Sequence, residues 1–263
     1  MKRPPGGRAV EGVGERVLDA VESFGHFAAL AGRVFRAARR PRFPWRDTLR
    51  QIDAIGTQSL SIVLITALFT GMVLALQTGV ALGRFGAKLY VGSVVGLSLA
   101  RELAPVLTAL MVSGRVGAGI TAELGAMQVT EQVDAIRSMG ADPAQKLVLP
   151  RVLAATLALP LLTILAGLLG AIGGGLIARA QFGITANFYL RTITNTVTVE
   201  DFLSGVGKTL VFGWIIAMVG CHQGLRTSGG TVGVGRATTQ AVVLASIAVL
   251  VSDFFLTQLL LAL

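Results

Sequence analysis

The sequence predicts an all-α integral membrane protein: an N-terminal amphipathic helix at the membrane interface, five transmembrane helices, and a short cytoplasmic helix between the second and third spans. Three observations predict it. Of 263 residues 53% are apolar and only 14% charged, with a mean hydropathy of +0.71, too little polar surface for a soluble domain of this size. Uncharged runs such as 54–83 and 152–178 are long enough to cross a hydrocarbon core. Finally, the basic residues are unevenly placed: 11 of the 23 Lys and Arg precede residue 51, the bias expected of a cytoplasmic N-terminus. The net charge of +9 is therefore read as membrane topology, and no nucleic-acid partner is expected.

Residues 1–50 form a basic cytoplasmic segment. Within it Val10, Val13, Val17, Val21, Phe24, Ala28, Ala31 and Phe35 recur at steps of three and four, while Glu11, Glu15, Asp19, Glu22, Arg33 and Arg36 fall elsewhere. The pattern predicts a helix too charged to span, ended by Pro41 and Pro44, which either lies in the interface or packs on the protein's own loops. No secretory signal peptide is visible, because the first long apolar run begins behind this segment.

Residues 51–263 form the membrane domain, with spans at about 54–78, 89–114, 152–178, 209–225 and 237–262. Arg101 and Glu102 interrupt the second, Lys208 and Arg226 bracket the fourth, and Asp253 lies in the fifth. With the N-terminus inside, Arg115, Arg137, Lys146, Arg151, Arg226 and Arg236 join the cytoplasmic charges. Only Arg84, Lys88, Arg179, Arg191 and Lys208 fall outside. The pairs Gly79/Gly83, Gly92/Gly96 and Gly170/Gly174 are helix-packing sites. Phe182, Phe188 and Tyr189 suit an interfacial belt on the external side.

Between the second and third spans, Val129, Val133 and Ile136 share one helical face and Thr130, Asp134 and Arg137 another, with Gly140 and Pro143 as the stop. This predicts a short amphipathic cytoplasmic helix, at about 123–140. GGTVGVGRATT at 229–239 resembles a phosphate loop only loosely: Arg236 and Ala237 stand where that motif needs its lysine and hydroxyl, so a turn is expected there. Cys221 is a lone apolar-run cysteine, and His26 and His222 are isolated, so neither a metal nor another cofactor is expected.

Four stretches, GMVLALQ (71–77), LARELAPVLTALMVSGRVGAGITAELG (99–125), TEQVDAIRSMGADP (130–143) and GRATTQAVV (235–243), resemble the MlaE (YrbE) permeases, over roughly residues 50–260. These are the membrane subunits of ABC transporters that move phospholipids or related lipids between bacterial envelope layers. The resemblance implies a non-enzymatic permease in the bacterial inner membrane. Its implied partners are a second copy of itself, two cytoplasmic ABC ATPase subunits, a ring of MCE-domain proteins and often a STAS-like subunit. It also makes the 123–140 helix the coupling helix, with Glu123, Thr130, Glu131, Asp134 and Arg137 as the residues that meet the ATPase.

Arg101 and Glu102 point about 100° apart on a helix and cannot neutralise each other, and Pro105 has no N–H for the carbonyl of Arg101. At mid-bilayer each charge costs at least ~2.5–3.5 kcal/mol and must face protein or water. The residues alone leave open a polar network that locks helices or a contact in a lipid cavity; the resemblance favours the cavity. Its apolar wall would then be Leu74, Leu82, Phe85, Leu97 and Leu103, and its head-group contacts Arg101 and Gln77, beside Glu102. Two rival readings are an ion- or proton-coupled secondary transporter using Arg101, Glu102 and Asp253 as a relay, and a membrane scaffold.

Overall fold

The computed structural model describes residues 5–39 and 44–262, and the side chains within them other than those of 5–20, 23 and 261. Among the described residues all regular structure is helical. We number the helices α1 (Pro5–Ala38), α2 (Trp45–Gly83), α3 (Lys88–Val129), α4 (Gln132–Ser138), α5 (Ala144–Phe182), α6 (Ala186–Thr196), α7 (Val199–Leu225) and α8 (Gly230–Ala262). Five of them, α2, α3, α5, α7 and α8, are long and apolar enough to cross a membrane. All outrun the expected spans. At about 1.5 Å per residue, the 39 residues of α2 far exceed a ~30 Å hydrocarbon core, so its first turns carry Arg46, Asp47, Arg50 and Asp53 beyond the apolar zone. Charge marks where the membrane ends, not where the helix does.

Backbones meet at glycines, since without a hydrophobic drive between helices packing needs close approach. Gly71 of α2 lies on Gly170 of α5, Gly205 of α7 on the Ala100 carbonyl of α3, and Gly213 of α7 on the Ala155 carbonyl of α5. Gly92 and Gly96 of α3 receive Tyr189 and Ile193 of α6, and the Tyr189 ring also fills the space beside Gly174 and Gly175. Tyr189 is thus fully buried instead of forming part of an interfacial belt, and only Phe188 of that trio is exposed. Helix α8 is the least covered, with Val243, Ile247, Leu250 and Phe254 open to the outside.

Helix α1 has three faces. Leu30, Val34 and Ala37 are buried in the main core, and Phe27 stacks edge-on against Trp214 and His222 of α7. Of the expected stripe, Val21, Phe24, Ala28 and Phe35 stand exposed, on average more than 90° further round at 100° per residue, while Ala31 packs against the core; Glu22, Arg33 and Arg36 lie on the third side. The two alternatives for this helix are therefore not exclusive: one face packs on the protein and a second apolar face remains for the interface. Val10, Val13 and Val17 belong to the part whose side chains lie outside the described residues.

The expected 123–140 helix is broken. Residues up to Val129 continue α3; Glu131 then takes a left-handed conformation (φ 58°), and α4 holds only seven residues. Val133 and Ile136 are buried, while Asp134 and Arg137 pair on the outer side at 2.7 Å. Residues 230–239 are the first turns of α8, a helix and not a phosphate-binding loop. Lys208 also departs from expectation. It does not bracket the fourth span but sits buried within it.

Candidate functional site

Helix α3 is interrupted by two π-helical turns, Leu99–Leu103 and Ser113–Gly117. Such turns re-aim side chains within a helix and recur at functional sites. The first carries Arg101 and Glu102. Arg101 Nε donates to Asp201 Oδ1 of α7 at 2.6 Å, and the other oxygen of Asp201 accepts from the backbone N–H and hydroxyl of Thr198, both at 2.9 Å, as a capping box at the start of α7. Glu102 accepts from Lys208 Nζ at 2.8 Å.

Lys208 is the hub of the arrangement. Its side chain is only 2% exposed, and it also reaches Asp253 at 3.3 Å and Thr257 at 2.6 Å, both on α8. Its remaining contact is the carbonyl of Arg101 at 3.2 Å, the acceptor that Pro105 leaves without an N–H. Three helices are thus joined by two ammonium or guanidinium groups and three carboxylates, each carboxylate facing a cation. In a low-dielectric setting this is the arrangement that makes buried charge tolerable. The partners of Arg101 and Glu102, Asp201 and Lys208, do not stand out in the sequence, where a lysine at the edge of an apolar run marks a boundary. A lysine inside an apolar run, seven residues after the Asp201 of a Thr-x-x-Asp cap, is the available signal.

The second π-turn makes a smaller polar tie: Arg115 donates to Ser59 at 3.1 Å and to Gln58 at 2.8 Å, linking α3 to α2. At the α4 end, Glu123 is not on the short helix with Asp134 and Arg137. It lies on α3 and pairs with Arg151 of α5 at 2.6 Å, whose side chain is 6% exposed.

The apolar candidates divide. Leu74, Gln77 and Leu103 line one open groove of about 400 Å³ between α2 and α3, with Thr66, Phe69, Thr70 and Val73. Leu82 instead packs into the small core around Tyr189, Phe85 stands exposed in the turn after α2, and Leu97 is half-buried without lining that groove. Arg101 and Glu102 are engaged with α7 and α8, so the structure does not bring them together with Gln77 as one head-group site. The groove itself is lipid-compatible: apolar walls, two threonine hydroxyls and one amide.

Comparisons with known proteins agree on one family. The profile described as Permease MlaE matches residues 48–259. A probable ABC transporter permease protein of Synechocystis is 44% identical over 230 residues, 88% of each chain. The intermembrane phospholipid transport system permease protein MlaE of Haemophilus influenzae is 36% identical over 256 residues, 95% of this chain and 96% of that one. The chloroplastic protein trigalactosyldiacylglycerol 1 of Arabidopsis thaliana is 39% identical over 229 residues, 87% of this chain and 65% of its own length.

Proposed function

This chain belongs to the MlaE permease family, as a multi-pass membrane permease of lipid transport, and on that premise we propose that its cargo is phospholipid or a closely related lipid moved between bacterial envelope membranes. The observation that carries the reading is the groove between α2 and α3. It is open on one side, apolar on its walls, and already holds Leu74, Gln77 and Leu103, so acyl chains can enter it sideways from the bilayer. The Haemophilus relative is named for intermembrane phospholipid transport.

In this reading the N-terminus and α4 are cytoplasmic and the membrane is the inner one. Moving Lys208 into the bilayer leaves only Arg84, Lys88, Arg179 and Arg191 outside, which strengthens the charge bias. Helix α4, with its Asp134–Arg137 face outward, meets a separate ABC ATPase together with Thr130 and Glu131. A second copy of the chain covers the bare side of α8. An MCE-domain ring, with or without a STAS-like subunit, completes the complex, and the ring meets the α6 end. The relay of a proton-coupled transporter finds less support, since Arg101, Glu102 and Asp253 are each held in an ion pair.

The test is lipid mass spectrometry on the complex purified in mild detergent, with Leu74→Trp to fill the groove. Loss of co-purified phospholipid and of transport, with assembly intact, is the expected result. Undiminished phospholipid in the filled variant would remove the groove from the pathway.

A further inference from the structure

Residues 130–143 connect the end of α3 to the start of α5 and carry α4 between them. We propose that the Glu123–Arg151 ion pair is the clasp at the base of this excursion, and that these are positioning residues which make α3 and α5 answer together when α4 is pushed. The proposal deepens the coupling reading and rests on α4 meeting the ATPase.

The geometry is that of a tie and not of a surface contact. Arg151 Nη2 reaches across to Glu123 Oε1 of α3 at 2.6 Å, while Nη1 donates back to the Leu147 carbonyl in the first turn of its own helix at 2.7 Å. Leu147 lies in a third π-helical turn, Ala144–Val148, which opens α5. Helix α1 packs on this same turn. Among the described residues α4 itself is seated by apolar contact: Val133 and Ile136 are buried in the main core with Leu147 and Val148. Apolar contact is non-directional, and a helix seated only on it can slide. A planar guanidinium fixed by one nitrogen to its own helix and by another to Glu123 has a set geometry and resists such a shift.

Stability alone does not account for the pair. Arg151 is buried while the Glu123 side chain is 57% exposed, so the pair itself adds little stability, whereas removing Glu123 strands the buried charge of Arg151. Arg151 keeps an unpartnered Nε in addition, so the arrangement is not optimised for satisfaction. What it adds is registry between the ends of α3 and α5.

That contrast supplies the experiment. In the reconstituted complex, lipid moved per ATP hydrolysed is measured for Glu123→Gln, for Arg151→Lys, and for the double variant Glu123→Gln with Arg151→Met. The single Glu123→Gln variant leaves a buried cation alone, so weaker assembly is expected of it. The double variant removes the stranded charge and assembles as the parent does, yet its lipid-to-ATP ratio falls roughly two- to thirtyfold, the range of coupling changes from residues that touch neither ligand. Arg151→Lys, which keeps the charge and loses the fork, falls between. A double variant that assembles and transports per ATP like the parent overturns the clasp. If reversing Glu131 and Asp134 with the clasp intact leaves ATPase binding and transport unchanged, the docking of α4 itself fails, whatever the clasp variants do.

Discussion

Lys208→Met is the most exposing single change, because one side chain holds together two carboxylates, one hydroxyl and one orphaned carbonyl. The methionine fits the volume of the lysine stem, so packing is largely preserved and the loss is electrostatic. Asp253 then loses its bond from the ammonium and, among the described residues, Glu102 keeps only that from Thr257, both without a cation. Breaking a buried pair by removing one partner costs ~3–5 kcal/mol. For a protein of this size each kcal/mol moves the thermal midpoint by about 2–4 °C, so a fall of roughly 6–20 °C is expected. The assay is thermal unfolding in detergent, followed by size-exclusion fluorescence. Adding Glu102→Gln and Asp253→Asn to Lys208→Met should recover most of the loss, because the stranded charges go with their partner. The double change without Lys208→Met should be destabilised as well, now by an unpaired ammonium. A Lys208→Met protein that melts with the parent would refute the view that this lattice holds α3, α7 and α8 together.

Arg101→Ala should be milder. Its side chain is 43% exposed and Asp201 keeps both bonds from Thr198, so a loss of about 1–3 kcal/mol is expected; a melting shift as large as that of Lys208→Met would mean that the Asp201 cap does not hold alone. Reversing Glu131 and Asp134 together should leave the fold within about 0.5 kcal/mol of the parent, as exposed substitutions do, while abolishing ATPase co-purification and transport; survival of both would sink the assignment of α4. Tyr189 lies outside the spans, and burial pushes its phenol up from 10.0 to about 12. The folded state therefore stays neutral while the unfolded state ionises, so stability is full below pH 10 and falls by about 2–3 kcal/mol as pH rises from 10 to 12. Because the buried hydroxyl has no partner among the described residues, Tyr189→Phe should be near neutral at pH 7 and should lose this alkaline slope, read by denaturation at both pH values. A Phe variant with the parent's slope would place the titration elsewhere.

Much was legible without coordinates because the bilayer imposes a one-dimensional rule. A segment either is apolar enough to be buried in hydrocarbon or is not, and that alone determined the helical class, the five spans and the need for partners at Arg101, Glu102 and Asp253. Periodicity likewise groups Val129, Val133 and Ile136 on one face, of which Val133 and Ile136 are buried while Val129, on α3, stands exposed. What sequence could not supply was orientation about each helix axis. Nothing in the run around residue 101 says that π-turns rotate its charges toward α7 and α8, away from the groove that Leu74 and Gln77 line. The face of α1 that packs, the plugging of Tyr189 into a glycine socket, and the break at Glu131 are decided by neighbours distant in the chain, through shape and close backbone approach. Lys208 shows the division most plainly: composition reads a lysine as a membrane boundary, and only the tertiary structure, by setting Glu102, Asp253 and Thr257 around its ammonium, lets that charge lie buried inside a span.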